Sequence, residues 1–322
     1  MSPSEFREKF EPIFHKKINS LIKRAGKITK NEEFNKVINH ISKLSENGKR
    51  IRPYIINLAY GNSKLNQEII NQMVGVELLH LFALIHDDII DGSSVRHGVK
   101  TINTLHKNEN LSKSYAMLAG DMVFNWAYEC FIEENQNKES IKLFQTLIEE
   151  VIVGQAIDAT LPHQKDFSQK ELMEKNILKT ARYTFRRPIE IGLVLAGKNL
   201  DKKYSQIGEN LGIIFQIDDD LLDIFGDEKK LNKKTFQDIE SKQATLISFY
   251  LRKNKIFQNY FGKNLNNEEK EKIKEIVKNS GTLEKIESER KKIITDTEKL
   301  ISGLPDSKVW LDFLNKITNR DK

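Results

Sequence analysis

Three aspartates close an apolar run: Asp87, Asp88 and Asp91 follow directly on the segment from Leu78 to Ile85. The spacing predicts that Asp87 and Asp91 lie one turn apart on the same helix face, with Asp88 about 100° round from Asp87. Three negative charges at the C-terminal end of a helix repel one another and oppose the helix dipole, a cost that a bound cation offsets. Clustered carboxylate oxygens suit hard Mg²⁺, which keeps several waters and bridges to substrate phosphates. One such run fits a solvated acidic helix end equally well. A second run, however, repeats the design after Phe215 and Gln216: Asp219 and Asp223 are again one turn apart, with Asp220 beside Asp219. Two acidic clusters on two apolar helices point to two walls of one cavity, with metal and diphosphate held between them. Asp218 falls on a different face and reads as structural or solvent-facing.

Helices must carry these residues. With 6 prolines and 16 glycines in 322 residues, most of the chain shows apolar residues at three-and-four spacing. The clearest stretches are 69–86, 115–133, 142–160, 207–225 and 268–277. Ser168 and Glu171 form a capping-box pattern that starts a further helix. No run of alternating β-branched residues makes a good strand, and no solenoid repeat is present. The expected fold is all-α: one domain over 1–322, a helical bundle around a central apolar cavity. Its motif-bearing core spans about 45–250, and a charged C-terminal wrap about 253–322.

Composition narrows the function classes. A 39% hydrophobic fraction supports a core, but no apolar run approaches the roughly 20 residues of a spanning helix. The N-terminus lacks the apolar stretch of a signal peptide. Cys130 is the single cysteine, so neither an internal disulfide nor a thiolate metal site is expected. These features point to the cytoplasm. The 52 basic residues are interspersed with 46 acidic ones, and no basic stripe interleaved with aromatics argues for nucleic acid.

With both motifs in place, the chain resembles the trans-isoprenyl diphosphate synthases (polyprenyl synthetases), which include farnesyl and geranylgeranyl diphosphate synthases. The resemblance runs from about Gly48 to Thr245, with every motif in the family's order. Gly48-Lys49-Arg50-Ile51-Arg52-Pro53 looks like the family's GKRxRP element, which implies that Lys49 and Arg52 grip isopentenyl diphosphate. The chemistry fits, since arginine offers a planar fork of donors and lysine a point charge. His80, two helical turns before Asp87, stands where the family places a residue for the same diphosphate. His86 is read as a neighbour of the cluster rather than a ligand. Arg96 is implied to hold the allylic diphosphate. His97 departs from the family's usual second arginine. With an ordinary pKa of about 6.5 it carries full charge only when protonated, so homoallylic binding is expected to be weaker or pH-dependent.

Further motifs match. Gly120-Asp121 fits a Gly-Asp helix position. Gln155 and Asp158 resemble a GQxxD element near the substrate tail. Lys179-Thr180 matches a Lys-Thr pair on the allylic diphosphate, and Phe215 and Gln216 match residues near the reacting carbons. Lys233 and Lys242 flank Asp238-Ile239 as the family's two lysines do. Here Phe236 replaces a glycine and the spacing to Lys242 is one residue short, with the register restored at Thr245.

The resemblance implies Mg²⁺-dependent prenyl transfer. Mg²⁺ ions on Asp87, Asp91 and Asp219, with Asp88, Asp220 and Asp223 completing the charge or water shell, serve the allylic diphosphate (dimethylallyl, geranyl or farnesyl). Lys179, Lys233 and Arg96 stabilise the leaving diphosphate, and isopentenyl diphosphate attacks the allylic cation. Phe82 lies five residues before Asp87, roughly 7.5 Å deeper. With its small neighbour Ala83 it resembles the arrangement of archaeal- and eukaryote-like geranylgeranyl synthases, and Leu79 lies a turn deeper. The expected product is geranylgeranyl diphosphate, then farnesyl diphosphate. A homodimer is implied by the family alone. Two rival readings are a class I terpene cyclase, opposed by the intact second motif, and a non-catalytic subunit of a heteromeric synthase.

Overall fold

The computed structural model of the protein describes residues 1–46, 48–61, 64–96, 98–164, 166–228 and 234–319. Two compact units are formed, Met1–Gln145 with Pro188–Asn199, and Thr146–Arg187 with Leu200–Lys322.

The first unit contains helices α1 (Pro3–Gly26), α2 (Glu32–Leu44), α3 (Ile51–Tyr60), α4 (Ile70–Ile90) and α5 (Glu109–Ile132), and α6 (Lys138–Thr160) begins in it. In α1 the four-residue spacing of Phe6, Phe10, Phe14 and Ile18 makes one fully buried stripe. Each buried ring contributes about 1.5–3 kcal/mol. Helix α4 packs against α3 and α5 and buries Val74, Leu78, Leu79, Leu81 and Ile85. It is apolar nearly all round, as a helix in the middle of a unit must be. It also runs four residues past the end expected from its apolar pattern, so Asp87 and Asp88 are helical and Asp91 caps the C-terminus.

Between α4 and α5 lies a feature not expected from the sequence, a two-rung antiparallel hairpin. Val95–Arg96 (β1) pairs with Val99–Lys100 (β2), and Gly98 has φ 80°. Two residues per strand are too few to show alternation. Helices α5 and α9 begin earlier than their apolar patterns because Asn108 and Asp201 accept N-terminal N–H groups.

The second unit holds the rest of α6, then α7 (Gln169–Asn176), which starts at the expected Ser168–Glu171 capping box. Without a break α7 widens into a π-helix, Ile177–Arg186, here the π segment, which leads into α8 (Arg187–Leu195). From Pro188 onward α8 belongs to the first unit. Next come α9 (Lys202–Phe225), α10 (Gln237–Glu240), α11 (Leu246–Leu251), α12 (Lys255–Gln258), α13 (Asn267–Asn279), α14 (Thr282–Ser302) and α15 (Ser307–Thr318). Their core gathers Leu172, Ile217, Phe236, Leu246, Ile273 and Ile286. Among the described residues no helix is long and apolar enough to cross a membrane.

Candidate active site

In the first unit the basic element is organised by its central residue. Arg50 is 4% exposed and adopts the left-handed conformation, φ 51°. Its Nη1 donates to Glu77 of α4 at 2.7 Å, and its Nε and Nη2 donate to Glu11 of α1 at 2.8 and 2.7 Å. Its guanidinium also covers the Phe14 ring at 4.4 Å. Burial alone would lower the pKa of Arg50, but Glu11 and Glu77 outweigh it and raise it. Arg50 therefore ties the loop before α3 to α1 and α4, leaving Lys49 exposed and Arg52 half-buried on either side. Three basic residues in a four-residue run look alike in sequence, so nothing there marked Arg50 as the buried one.

At the end of α4 the three aspartates have different surroundings. Asp87 is half-buried and Asp91 exposed, whereas Asp88 is 2% exposed. Asp88 Oδ1 accepts from Arg96 Nε at 2.9 Å and Nη2 at 2.7 Å, and its main-chain oxygen accepts from Asn103 Nδ2 at 3.0 Å. The hairpin thus delivers Arg96 to the motif, with Asp88 as its partner. His97 lies outside the described residues. His80 is half-buried on the same helix.

His86 lies against Phe82 with ring centroids 4.5 Å apart and the rings tilted by 59°, and Phe82 meets Phe124 of α5 at 5.1 Å. The imidazole fills the place of a side chain at Gly120: a Cβ there would sit 2.2 Å from Nε2. Asp121 Oδ1 is 3.7 Å from the same nitrogen. Phe82 and Ala83 are half-buried and Leu79 is fully buried. Sequence reading placed Phe82 but not Phe124, which shares no motif with it.

In the second unit Asp219 is half-buried, while Asp220 and Asp223 are 3% and 4% exposed. Asp220 accepts from Gln216 Nε2 at 2.8 Å and from the Leu246 N–H at 3.4 Å. Burial, with the Asp238 carboxylate nearby, pushes its carboxyl up to about 7. Asp223 serves as a cap. Its two oxygens accept the N–H groups of Gln237 and Asp238, each at 3.1 Å, and its main-chain oxygen accepts Phe236 N–H at 2.6 Å. Asp218 pairs with Arg290 of α14, at 2.5 Å from Nε.

Lys179 and Thr180 lie on the π segment. Lys179 Nζ donates to Asp158 of α6 at 2.5 Å. Buried Lys175 donates to Ala244 O at 2.6 Å and lies 3.3 Å from Asp158. Thr180 Oγ1 donates to Gln216 Oε1 at 2.7 Å, so a hydrogen-bond chain runs from Thr180 through Gln216 to Asp220. Phe215 is half-buried and meets Phe185 edge-on at 5.3 Å.

Lys233 lies outside the described residues. Lys242 is exposed with φ 59°, and its stem crosses Gly262, where a Cβ would fall 2.0 Å from Lys242 Cε. Phe236 also has a positive φ, 62°, but is 1% exposed in the core. Burial of the ring offsets a left-handed strain of about 1–2 kcal/mol.

Among the described residues, no three His, Cys, Asp or Glu side chains are gathered closely enough to hold one metal ion. The donor chemistry nevertheless fits magnesium. Asp91 is exposed and Asp87 and Asp219 are half-buried, and Asp88, Asp220 and Asp223 are buried and accept hydrogen bonds from protein donors.

The profile of the polyprenyl synthetase family matches residues 31–280. A short chain isoprenyl diphosphate synthase of Methanocaldococcus jannaschii is 31% identical over 246 residues, 72% of this chain and 73% of that protein. A geranylgeranyl diphosphate synthase of Sulfolobus acidocaldarius is 32% identical over 62% of this chain and 62% of its own length. The crystal structure of a geranylgeranyl pyrophosphate synthase from Corynebacterium glutamicum, complexed with isoprenyl diphosphate and magnesium, matches the fold. Its TM-score is 0.83 at 24% identity, covering 97% of this chain and 99% of that one. The family's profile spans both aspartate motifs and the Lys-Thr pair between them, and on that match the chain belongs to the polyprenyl synthetase family and is an all-α prenyltransferase.

Proposed function

We propose that the protein condenses isopentenyl diphosphate with an allylic diphosphate, head to tail, to give geranylgeranyl diphosphate, with farnesyl diphosphate the next product in abundance. The observation that carries this reading is the division within the two motifs: each has its first aspartate half-buried and its second almost fully buried on protein donors.

Asp87, Asp91 and Asp219 would hold magnesium, which, when bound, neutralises the charge of the allylic diphosphate and favours its departure. Asp88 orients Arg96, and Asp158 orients Lys179, as donors to that diphosphate. Thr180 and Gln216 hold the next donor positions. Lys49, Arg52 and His80 bind isopentenyl diphosphate. Preorganised donors of this kind lower a barrier because they need no reorientation as charge develops. Phe82, braced by His86 and Phe124, stops the growing chain.

The protein acts as a cytoplasmic homodimer. Exposed Met117 and Leu118 on α5 offer apolar surface for a second copy, and a light-scattering mass of one chain would overturn the dimer.

The deciding assay incubates the protein with labelled isopentenyl diphosphate, Mg²⁺ and each allylic starter in turn. Linear C20 diphosphate is expected. A cyclic hydrocarbon from one substrate would point to a cyclase, and no product with any starter to a non-catalytic subunit. Phe82→Ala is expected to lengthen the product, and an unchanged product distribution would remove Phe82 as the floor.

A further inference from the structure

The π segment is gripped from two sides by matching ladders. On α6, Glu150, Gly154 and Asp158 stand on successive turns of one face, and on α9 so do Gly208, Gly212 and Gln216. Each glycine meets π-segment backbone. A Cβ at Gly154 would fall 2.5 Å from Lys179 N, one at Gly212 2.2 Å from Ala181 Cα, and one at Gly208 2.5 Å from Arg186 Cα. Main chain cannot step aside as the tip of a side chain can, so these positions admit no side chain without displacing the segment.

The far end of the segment is tied by charge. Arg182 bridges the two flanking helices, donating to Glu150 at 2.8 Å and to Glu209 at 2.9 Å. Arg187 donates twice to Glu150, at 2.7 and 2.6 Å, and Arg186 donates to Glu209 at 2.6 Å. Burial would raise the Glu150 carboxyl, but Arg187 and Arg182 hold it below its ordinary range. Inside the segment, Arg187 N–H reaches Arg182 O, five residues back. Such wide turns mark functional sites more often than chance, and the π segment that this turn closes carries Lys179 and Thr180 nearer its start.

We propose that Gly154 and Gly212, with the Glu150/Glu209–arginine clamp, are positioning residues that hold the π register and so set where the Lys179 ammonium and Thr180 hydroxyl meet the allylic diphosphate. This rests on the assignment of Lys179 and Thr180 to that substrate. Relaxation of the segment to α-helical register would rotate both side chains away from Asp158 and Gln216. Displacements of about 1 Å at reacting groups cost up to about a hundredfold.

The test compares Gly154→Ala, Gly212→Ala, Glu209→Gln and Lys179→Ala in the full-length protein. Three quantities are read: the Kd for an unreactive thio analogue of geranyl diphosphate with Mg²⁺ by calorimetry, the KM for isopentenyl diphosphate, and Tm. The alanine variants should weaken analogue binding about tenfold, and Glu209→Gln about threefold, with isopentenyl KM within about twofold of the parent. Glu209→Gln keeps side-chain size and serves if an alanine variant fails to fold. A lower Tm with unchanged analogue Kd, or both substrates weakened together, overturns the proposal, because packing loss alone does either. Weakened binding in Lys179→Ala alone also overturns it while leaving the Lys179 assignment intact. Unweakened binding in Lys179→Ala removes that assignment, and the proposed role with it.

Discussion

Asp88 in the first aspartate motif and Asp223 in the second are both buried, yet different partners hold them. Asp88 takes two hydrogen bonds from one guanidinium, that of Arg96. Asp223 takes two from main-chain N–H groups at the start of α10, and its neighbour Asp220 takes one from the neutral Gln216 amide and one from the Leu246 N–H. An ion pair between side chains can part by rotamer changes. Bonds to the first turn of α10 break only if that turn moves. The comparison teaches that one sequence pattern can serve a movable cationic partner in one place and a fixed frame in another, while the first aspartate of each motif keeps more exposure than the second.

The largest test of this comparison removes the first, less buried member of each motif. Asp87→Ala and Asp219→Ala should each lower kcat/KM about a thousandfold, since each removes charge stabilisation of several kcal/mol. A loss below tenfold at either position, in the labelled-substrate assay, breaks the assigned division. Next comes Arg96→Ala, which leaves the Asp88 carboxylate buried without its guanidinium. It should cost about 1–3 kcal/mol of stability, read from the urea midpoint, and an unshifted midpoint would show the pair to be energetically idle.

Asp223→Asn should be milder. It loses one of two cap bonds, about 1 kcal/mol, and its half-saturating Mg²⁺ concentration should match the parent's. A raised Mg²⁺ requirement would move Asp223 from frame to ligand.

The smallest effect concerns acid. Burial alone would raise the Asp158 carboxyl, but Lys175 and Lys179 outweigh it and hold it below its ordinary value. A carboxyl depressed in the folded state contributes stability above its unfolded pKa of about 3.9 and loses that contribution as pH falls through the folded value. Below about pH 4, then, the Tm of Asp158→Asn should fall less steeply than that of the parent. Parallel acid limbs would separate Asp158 from both lysines.

Much of the fold was legible because it rests on local periodicity. The apolar run of α4 and the Ser168–Glu171 box each declare a helix within one or two turns. The aspartates stood out for the same reason, since spacing along a helix sets which side chains share a face, whereas the Lys-Thr pair and Gln216 were named only through the resemblance to the family's motifs.

What the sequence determined by itself, then, was helix content and the residue types and spacing of the motifs. Tertiary structure decided which member of each motif is buried, that Arg50 is the structural arginine of its run, and that Asp223 caps α10. It also decided that residues 177–186 widen into a π-helix, and that Gly154 of α6 and Gly208 and Gly212 of α9 meet its backbone. Burial and partnership depend on how folding orients segments, whether Arg96 is eight residues from Asp88 or Glu77 is 27 from Arg50, and types and spacing alone do not specify that orientation.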